Sequence, residues 1–553
     1  MSHRMFFRFW ASLSVLGLLL GALFFAGSLT PSLLPRTFLT QGVLSGVCFA
    51  LGYGIGSLFA LVWAYLELPM PAGRFWRGVK LAAAAACIAV VLLFLWRAAE
   101  WQNSIRTLME LPPVETGHPF KVGLIALATF IVAIVAARLF MLAWRLISRA
   151  LLRIAPRRVA SLVGGLIALV VFWTAVEGVL FRSALHAADS SLRALDELME
   201  PDTPQPSDPQ RTGSAASLVS WADLGRRGRE FVASGMRPEA ISALTGRPAK
   251  EPVRVYAGLS SGEDADERAR LALQELIRTD GFSRKYLVVI VPTGTGWIDP
   301  EAMGPLEYLT DGDVASVAIQ YSYLSSWLSL LVEPSYGSDA ARALFREVYG
   351  HWTKLPRDTR PKLYLYGLSL GALSSEQSTE LFEVIGDPYQ GALWVGPPFE
   401  SRIWRRFTAG RNEGTPAWLP RFGDGSYVRF TSQKDALGEA TAPWGPMRIV
   451  YLQYASDPVT FFDEGAYRRP PAWMVGPRGP DVSEELRWYP FVTFLQLGLD
   501  MAMATTTPMG YGHVYAGEHH VDPWIAVLGL EGQWSPAAIG KLKEKFRADR
   551  PQP

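Results

Sequence analysis

The sequence predicts two fold classes in series: an α-helical transmembrane bundle of about five spans, then an α/β domain with a mostly parallel sheet and helices on both faces. Three observations carry this. Five long apolar stretches fall within the first 185 residues. The charge is split along the chain: residues 1–185 hold 16 Lys+Arg, 5 Glu and no Asp, whereas the remainder is acidic. From residue 253 onward, short β-branched runs alternate with helical patterns. A length of 553 residues exceeds one ordinary domain. The expected division is 1–185 (membrane), 186–250 (linker and amphipathic connector) and 251–553 (α/β domain), with an insertion near 397–426.

The apolar stretches run roughly over 9–29, 41–66, 78–96, 122–144 and 159–181. Each approaches or exceeds the ~20 apolar residues needed to cross the hydrocarbon core. None offers an amphipathic face to water. Arg4 and Arg8 precede the first span, Arg74, Arg77 and Lys80 follow the second, and five arginines between 145 and 158 separate the fourth from the fifth. The positive-inside rule puts these segments in the cytoplasm. An odd number of spans then exports everything after Phe181. The expected location is multi-pass in the plasma (inner) membrane, with the C-terminal domain extracytoplasmic. Arg4, Arg8 and Ala26-Gly27-Ser28 also fit a cleaved signal peptide, but the run is long for one. Glu177 in span five is read either as facing the bundle interior or as reaching water at the outer edge.

The two cysteines, Cys48 and Cys87, lie inside spans. They exclude a disulfide scaffold and a cysteine-built metal site. No metal and no cofactor is expected, and the absence of a basic patch argues against nucleic acid. Residues 201–217, rich in Pro, Ser and Gln, read as an exposed tether. Residues 217–235 read as a short amphipathic helix. Strands are expected at 253–257, 286–292, 314–324, 362–367, 392–396, 427–432 and 448–456. In such sheets the chemistry lies at the carboxyl ends of the strands.

Gly367-Leu368-Ser369-Leu370-Gly371 fits G-x-S-x-G after a strand. The glycines allow the sharp reversal from strand into helix that presents the serine. A second match, Gly258-Leu259-Ser260-Ser261-Gly262, is followed by Glu263, Asp264, Asp266 and Glu267. Those carboxylates oppose an oxyanion at that helix start, and Ser369 is preferred.

A serine hydroxyl needs a base. Of seven histidines, His513, His519 and His520 follow Ser369. His513 sits in a Gly-flanked loop and is the expected base; His519 or His520, at an apparent helix start, is the alternative. Chain order places an acid between serine and histidine. Asp457, directly after a strand and before Pro458, is expected, with Asp435 as the alternative. The oxyanion donors are expected from the Leu370 N–H and from Gly294 or Thr295 in Pro292-Thr293-Gly294-Thr295-Gly296-Trp297. A phosphate loop is disfavoured there, since no G-K-[ST] follows.

The segments 217–231, 291–300, 366–378, 454–462 and 511–524 together resemble the bacterial membrane-anchored alpha/beta-hydrolase family, in which a multi-span N-terminal domain precedes a hydrolase domain. The resemblance spans nearly the whole chain and implies a serine hydrolase outside the cytoplasm, with 397–426 as a lid-like specificity region. The expected activity is esterase- or lipase-like, through an acyl-enzyme, on a lipid or lipid-linked ester drawn from the bilayer. The alternatives are a transacylase and a non-catalytic lipid-binding or assembly protein on a hydrolase fold. Substrate headgroup and oligomeric state are not readable from the sequence.

Overall fold

The computed structural model describes residues 13–69, 73–175, 178, 196, 199, 203–323, 335–379 and 381–550. The chain forms two compact units. Unit 1 comprises Met1–His186, Asp463–Val475 and Pro480–Met503; unit 2 comprises Ala187–Phe462, Gly476–Gly479 and Ala504–Pro553.

In unit 1 the apolar stretches form α1 (Val15–Ser28), α2 (Phe38–Tyr65), α3 (Arg74–Leu108), α4 (Pro119–Leu151) and α5 (Arg157–Thr174). Among the described residues four of these, α2 to α5, are long and apolar enough to cross a membrane. The first expected span, 9–29, is described only from residue 13 and appears as the 14-residue α1. Glu177 lies outside the described residues. α3 continues past the expected end at 96, through Arg97 and Glu100, because the helix persists beyond its apolar part. α1 and α2 approach closely: a Cβ on Gly52 or Gly56 would lie 2.7 Å from a backbone oxygen of α1. Small residues on such a seam let helices pack without a hydrophobic drive.

The stretches 463–475 and 480–503 fall inside the range expected for the α/β domain, yet they pack into unit 1. The apolar helix Val492–Ala502 contacts α1 and α2. Its Asp500 is fully buried, accepts from Leu33 N at 2.9 Å and lies 3.7 Å from the guanidinium of fully buried Arg36. Arg36 also donates to Ser28 O and to Gln41 Oε1, and Gln496 donates to Thr30 O at 3.0 Å. The charge pair, the hydrogen bonds and the apolar face together explain why this segment joins the membrane helices.

Unit 2 is built on seven parallel strands: β1 (Val253–Ala257), β2 (Tyr286–Val291), β3 (Val314–Ile319), β4 (Lys362–Leu368), β5 (Gly391–Val395), β6 (Val428–Thr431) and β7 (Arg448–Leu452), in spatial order β1-β3-β2-β4-β5-β7-β6. β3 stops at Ile319, short of the expected 324, where its partner β1 ends at Ala257. β2 and β3 are buried at every residue, so both faces of the sheet are covered. The covering helices include α6 (Gly225–Ala233), α7 (Ala265–Arg278), α8 (Pro300–Leu309), α9 (Tyr336–Trp352), α10 (Leu370–Glu376), α11 (Arg402–Ala409), α12 (Pro458–Phe461), α13 (Gly517–Leu528) and α14 (Pro536–Ala548). α7 packs on α9, and α8 on α13. The step from β2 to β3 runs one way across the sheet and the step to β4 runs back. The gap between the carboxyl ends of β2 and β4 is therefore the topological switch point, where ligands bind in open α/β sheets.

The stretch expected as an exposed tether is largely exposed from 204 to 210, but it is fastened towards its end. Thr212 and Ser214 are buried. Arg278 of α7 donates to Pro209 O at 2.6 Å, and the Glu275 carboxylate accepts from Ser217 Oγ and Leu218 N. Bonding to α7 fastens the end of this stretch to unit 2. The connector that follows forms α6, with Phe231 and Val232 buried.

Candidate active site

Four neighbouring strands, β2, β4, β5 and β7, bring their carboxyl ends to one edge of the sheet, and the residues singled out in the sequence follow these ends. Ser369, directly after β4, has φ 57° and ψ −124°, a backbone conformation rare for a residue with a side chain. Its N–H donates to Val395 O at the end of β5 (2.9 Å). The flanking glycines are required by space. A Cβ on Gly367 would lie 2.3 Å from Gly371 C, and one on Gly371 would lie 2.2 Å from Val291 O at the end of β2. Leu370 is the first residue of α10, so its N–H has no partner within the helix.

Asp457 follows β7 and caps α12, accepting from Val459 N at 2.8 Å. Its other oxygen, Oδ2, accepts from Thr460 Oγ1 at 3.1 Å, from Tyr515 Oη at 2.7 Å and from His513 Nδ1 at 2.7 Å. Asp457 is fully buried, and these donors compensate the cost of burying its charge. With Nδ1–H committed to the carboxylate, the lone pair of His513 lies on Nε2. That nitrogen is buried and has no hydrogen-bond partner, so it is not bonded to Ser369 Oγ. The ring lies against the end of β5: a Cβ on Gly396, whose φ is 49°, would sit 2.9 Å from His513 Cε1. Gly396 directly follows Val395, the residue that holds Ser369 N. Serine and imidazole are thus both seated at the end of β5, on Val395 and on Gly396 directly after it. Catalytic hydrogen bonds are often open in an empty site and close around the substrate.

The loop after β2 is a tight turn. Gly296 N donates to Thr293 O and Thr293 N to Trp297 O, with Gly294 and Thr295 between. Tyr256 Oη donates to Gly296 O at 2.8 Å, and Gln320 Nε2 lies 3.4 Å from Thr295 O. The loop is braced from β1 and from the residue after β3.

The alternatives are engaged elsewhere. Asp435 caps the turn 437–439 through Leu437 N at 2.9 Å. His519 Nδ1 pairs with Tyr454 Oη at 2.6 Å, and burial pushes its pKa down to about 3. His520 Nδ1 donates to Ala516 O at 3.0 Å. Ser260 is exposed in a 3-10 turn, its Oγ 3.4 Å from Tyr323 Oη, without the positive φ of Ser369.

A model of an alpha/beta-hydrolase family matches residues 253–542, more than half of the chain. The chain belongs to that alpha/beta-hydrolase family. A companion model, for the N-terminus of the same family, matches 29–235. Nothing matches among the curated proteins or among the solved structures.

Sequence reasoning missed the supports of the site. Tyr515 stands two residues after His513 and shares its carboxylate; the spacing was the available signal. Glu376, buried at the end of α10, accepts from Tyr451 Oη at 2.9 Å and from Ser401 Oγ, the cap of α11. Burial pushes its pKa up to about 7. It links the serine-bearing helix to β7 and to the start of 397–426. That region carries α11, seated by Trp404 Nε1 on Gln453 Oε1 at 2.7 Å. Among the described residues no cluster of His, Cys, Asp and Glu suits a metal ion.

Proposed function

We propose that this alpha/beta-hydrolase is a membrane-anchored serine hydrolase that cleaves an ester, lipid or lipid-linked, through an acyl-enzyme. Ser369 Oγ attacks the acyl carbonyl while His513 Nε2 takes its proton. Asp457 fixes the ring and stabilises the imidazolium. The oxyanion draws on the Leu370 N–H and on Gly294 or Thr295. The tetrahedral intermediate collapses, His513 protonates the departing alkoxide, and the acyl group remains on Ser369. Water, deprotonated by the same Nε2, then releases the acid. A closed site that favours an alcohol over water would turn the same steps into acyl transfer.

The single observation that carries this reading is the 2.7 Å pairing of His513 Nδ1 with Asp457, which leaves a buried, unbonded Nε2 beside the strand end that holds Ser369. The membrane helices support a substrate taken from the bilayer, because soluble esters require no such anchor. The arginine distribution of the loops supports an extracytoplasmic catalytic domain.

A fluorophosphonate probe applied to membranes containing the full chain tests the reading. The expected result is labelling that disappears in Ser369→Ala. Labelling that survives this substitution, or folded wild-type protein that takes no label, overturns it and favours a lipid-binding role for the fold.

A further inference from the structure

Below the proposed site, three polar side chains from three of its supporting segments converge inside unit 2. Asp299 ends the segment that follows the 293–297 turn and caps α8 by accepting from Glu301 N at 3.0 Å. Tyr366 lies on β4, three residues before Ser369. His520 lies on α13, seven residues after His513. All three are buried, at 3%, 1% and 0% exposure. Trp524, one turn from His520, packs 5.7 Å from the Tyr366 ring and donates to Ala302 O at 2.9 Å, so the three elements are in register.

The hydrogen bonds in this cluster are incomplete in a specific way. Ala516 O can only accept, so His520 Nδ1 carries the hydrogen and Nε2 presents a lone pair. His520 Nε2 and Tyr366 Oη are buried without partners, and Asp299 Oδ2 lies 4.0 Å from that Nε2. Among the described residues no cation faces Asp299. The titratable groups around it are Glu301 on its own helix, Tyr366 from β4 and His520 from α13. A carboxylate here would be a buried, unpaired charge set against a lone pair. At 4.0 Å the two atoms face each other without a hydrogen bond, and a carboxylic acid is the state in which Asp299 can face that lone pair without repulsion and offer it a donor.

We propose that Asp299 is a positioning residue for the serine site: held as a neutral acid facing His520 Nε2, it couples the segment after the oxyanion loop to the helix behind His513, which in turn packs Trp524 against Tyr366 of the nucleophile strand. This rests on the reading of Ser369 as nucleophile. Burial agrees with the geometry, pushing Asp299 up to about 8 and His520 down to about 4. The proton stays on the acid and the ring stays neutral near pH 7.

The test uses the full chain in detergent, with Asp299→Asn, which keeps the shape and is permanently neutral, and Asp299→Ala. The rate of fluorophosphonate labelling is followed from about pH 6 to pH 9.5, together with thermal unfolding. The wild-type rate is expected to fall as pH passes about 8, where Asp299 ionises. Asp299→Asn should match wild type at pH 7 and lose that alkaline fall. Asp299→Ala, while still folded, should label at least about tenfold more slowly, as misplaced catalytic groups do. An unchanged alkaline fall in Asp299→Asn, or wild-type labelling by Asp299→Ala, overturns the proposal.

Unfolding gives a second readout that does not depend on catalysis. An acid whose folded pKa is raised begins to lose its contribution to the folded state once the unfolded chain ionises, and contributes least above the folded pKa. Its contribution therefore declines as pH rises from about 4 to about 8 and is flat beyond. Stability of wild type relative to Asp299→Asn should decline over that window; a flat difference overturns the neutral acid. If wild type takes no label at all, the serine-hydrolase reading fails, and the unfolding difference still decides whether Asp299 holds a proton.

Discussion

The two units of this chain are turned inside out with respect to each other. In unit 2 the apolar side chains are interior: β2 and β3 expose nothing, and a buried charge such as Arg254 is paired, here with Glu307 at 2.6 Å. In unit 1 large apolar side chains face outward, Phe120, Leu124, Val132 and Trp173 among them, each at least 66% exposed. Its interior holds Arg36, Gln41, Ser28, Ser45 and Asp500 beside apolar residues such as Leu29, Leu33 and Trp101. Burial of apolar surface from water drives the first arrangement. The second is stable only where the surroundings are themselves apolar, and there packing and internal hydrogen bonds hold the helices together. A buried polar group therefore has a different use in each unit: at the proposed site of unit 2 it orients side chains such as His513, and in unit 1 it binds chain segments to one another.

The largest effect expected from breaking this contrast is at the acid in unit 2. Asp457→Asn keeps an oxygen for Val459 N but presents an amide to His513 Nδ1, which selects the wrong tautomer. The rate of ester cleavage should fall by about 10³–10⁴-fold with melting little changed. A loss of less than about tenfold would remove Asp457 from the proton relay. In unit 1 the matching substitution is structural. Arg36→Met leaves Asp500 buried without its cation and should cost about 3–5 kcal/mol in detergent unfolding. Arg36→Met with Asp500→Leu should regain most of that loss, because an apolar pair of similar volume is often neutral. A double variant no better than the single one would mean that the pair is not what fastens the Val492–Ala502 helix. The smallest effect sharpens the comparison of surfaces. Val132→Lys, outward on α4, should cost about 2.5–3.5 kcal/mol of insertion. Ile277→Lys, also exposed, on α7 of unit 2, should stay within about 0.5 kcal/mol. Equal effects at the two positions would contradict the reversal.

The sequence made the periodic and the punctuated features legible. Strand positions stood out because β-branched runs such as Tyr286–Val291 are apolar at nearly every residue, as strands buried on both faces must be. The turn at Ser369 stood out because its two glycines have a geometric reason. Less could be read where a contact joins residues distant in the chain. Val492–Ala502 has 11 residues, too few to read as a span, and nothing local marks Asp500 as the partner of Arg36, 464 positions earlier. The stretch 201–217 looked like a tether because Pro, Ser and Gln suggest disorder, but Glu275 and Arg278 supply it with hydrogen bonds from outside. The supports of the site, Tyr515, Glu376 and Asp299, are single polar residues in apolar surroundings. Their roles depend on which strand ends lie side by side, and composition does not report that.

The central claim is that Ser369 carries the acyl group. Its most direct test is to react the whole chain with an activated acyl ester, quench in acid within the first turnover and map the mass increase by peptide. The account predicts one acyl adduct, on the peptide containing Ser369, absent when Ser369 is alanine and slow to form when His513 is replaced by alanine. An adduct on Ser260, or ester cleavage with no adduct on any serine, would contradict it.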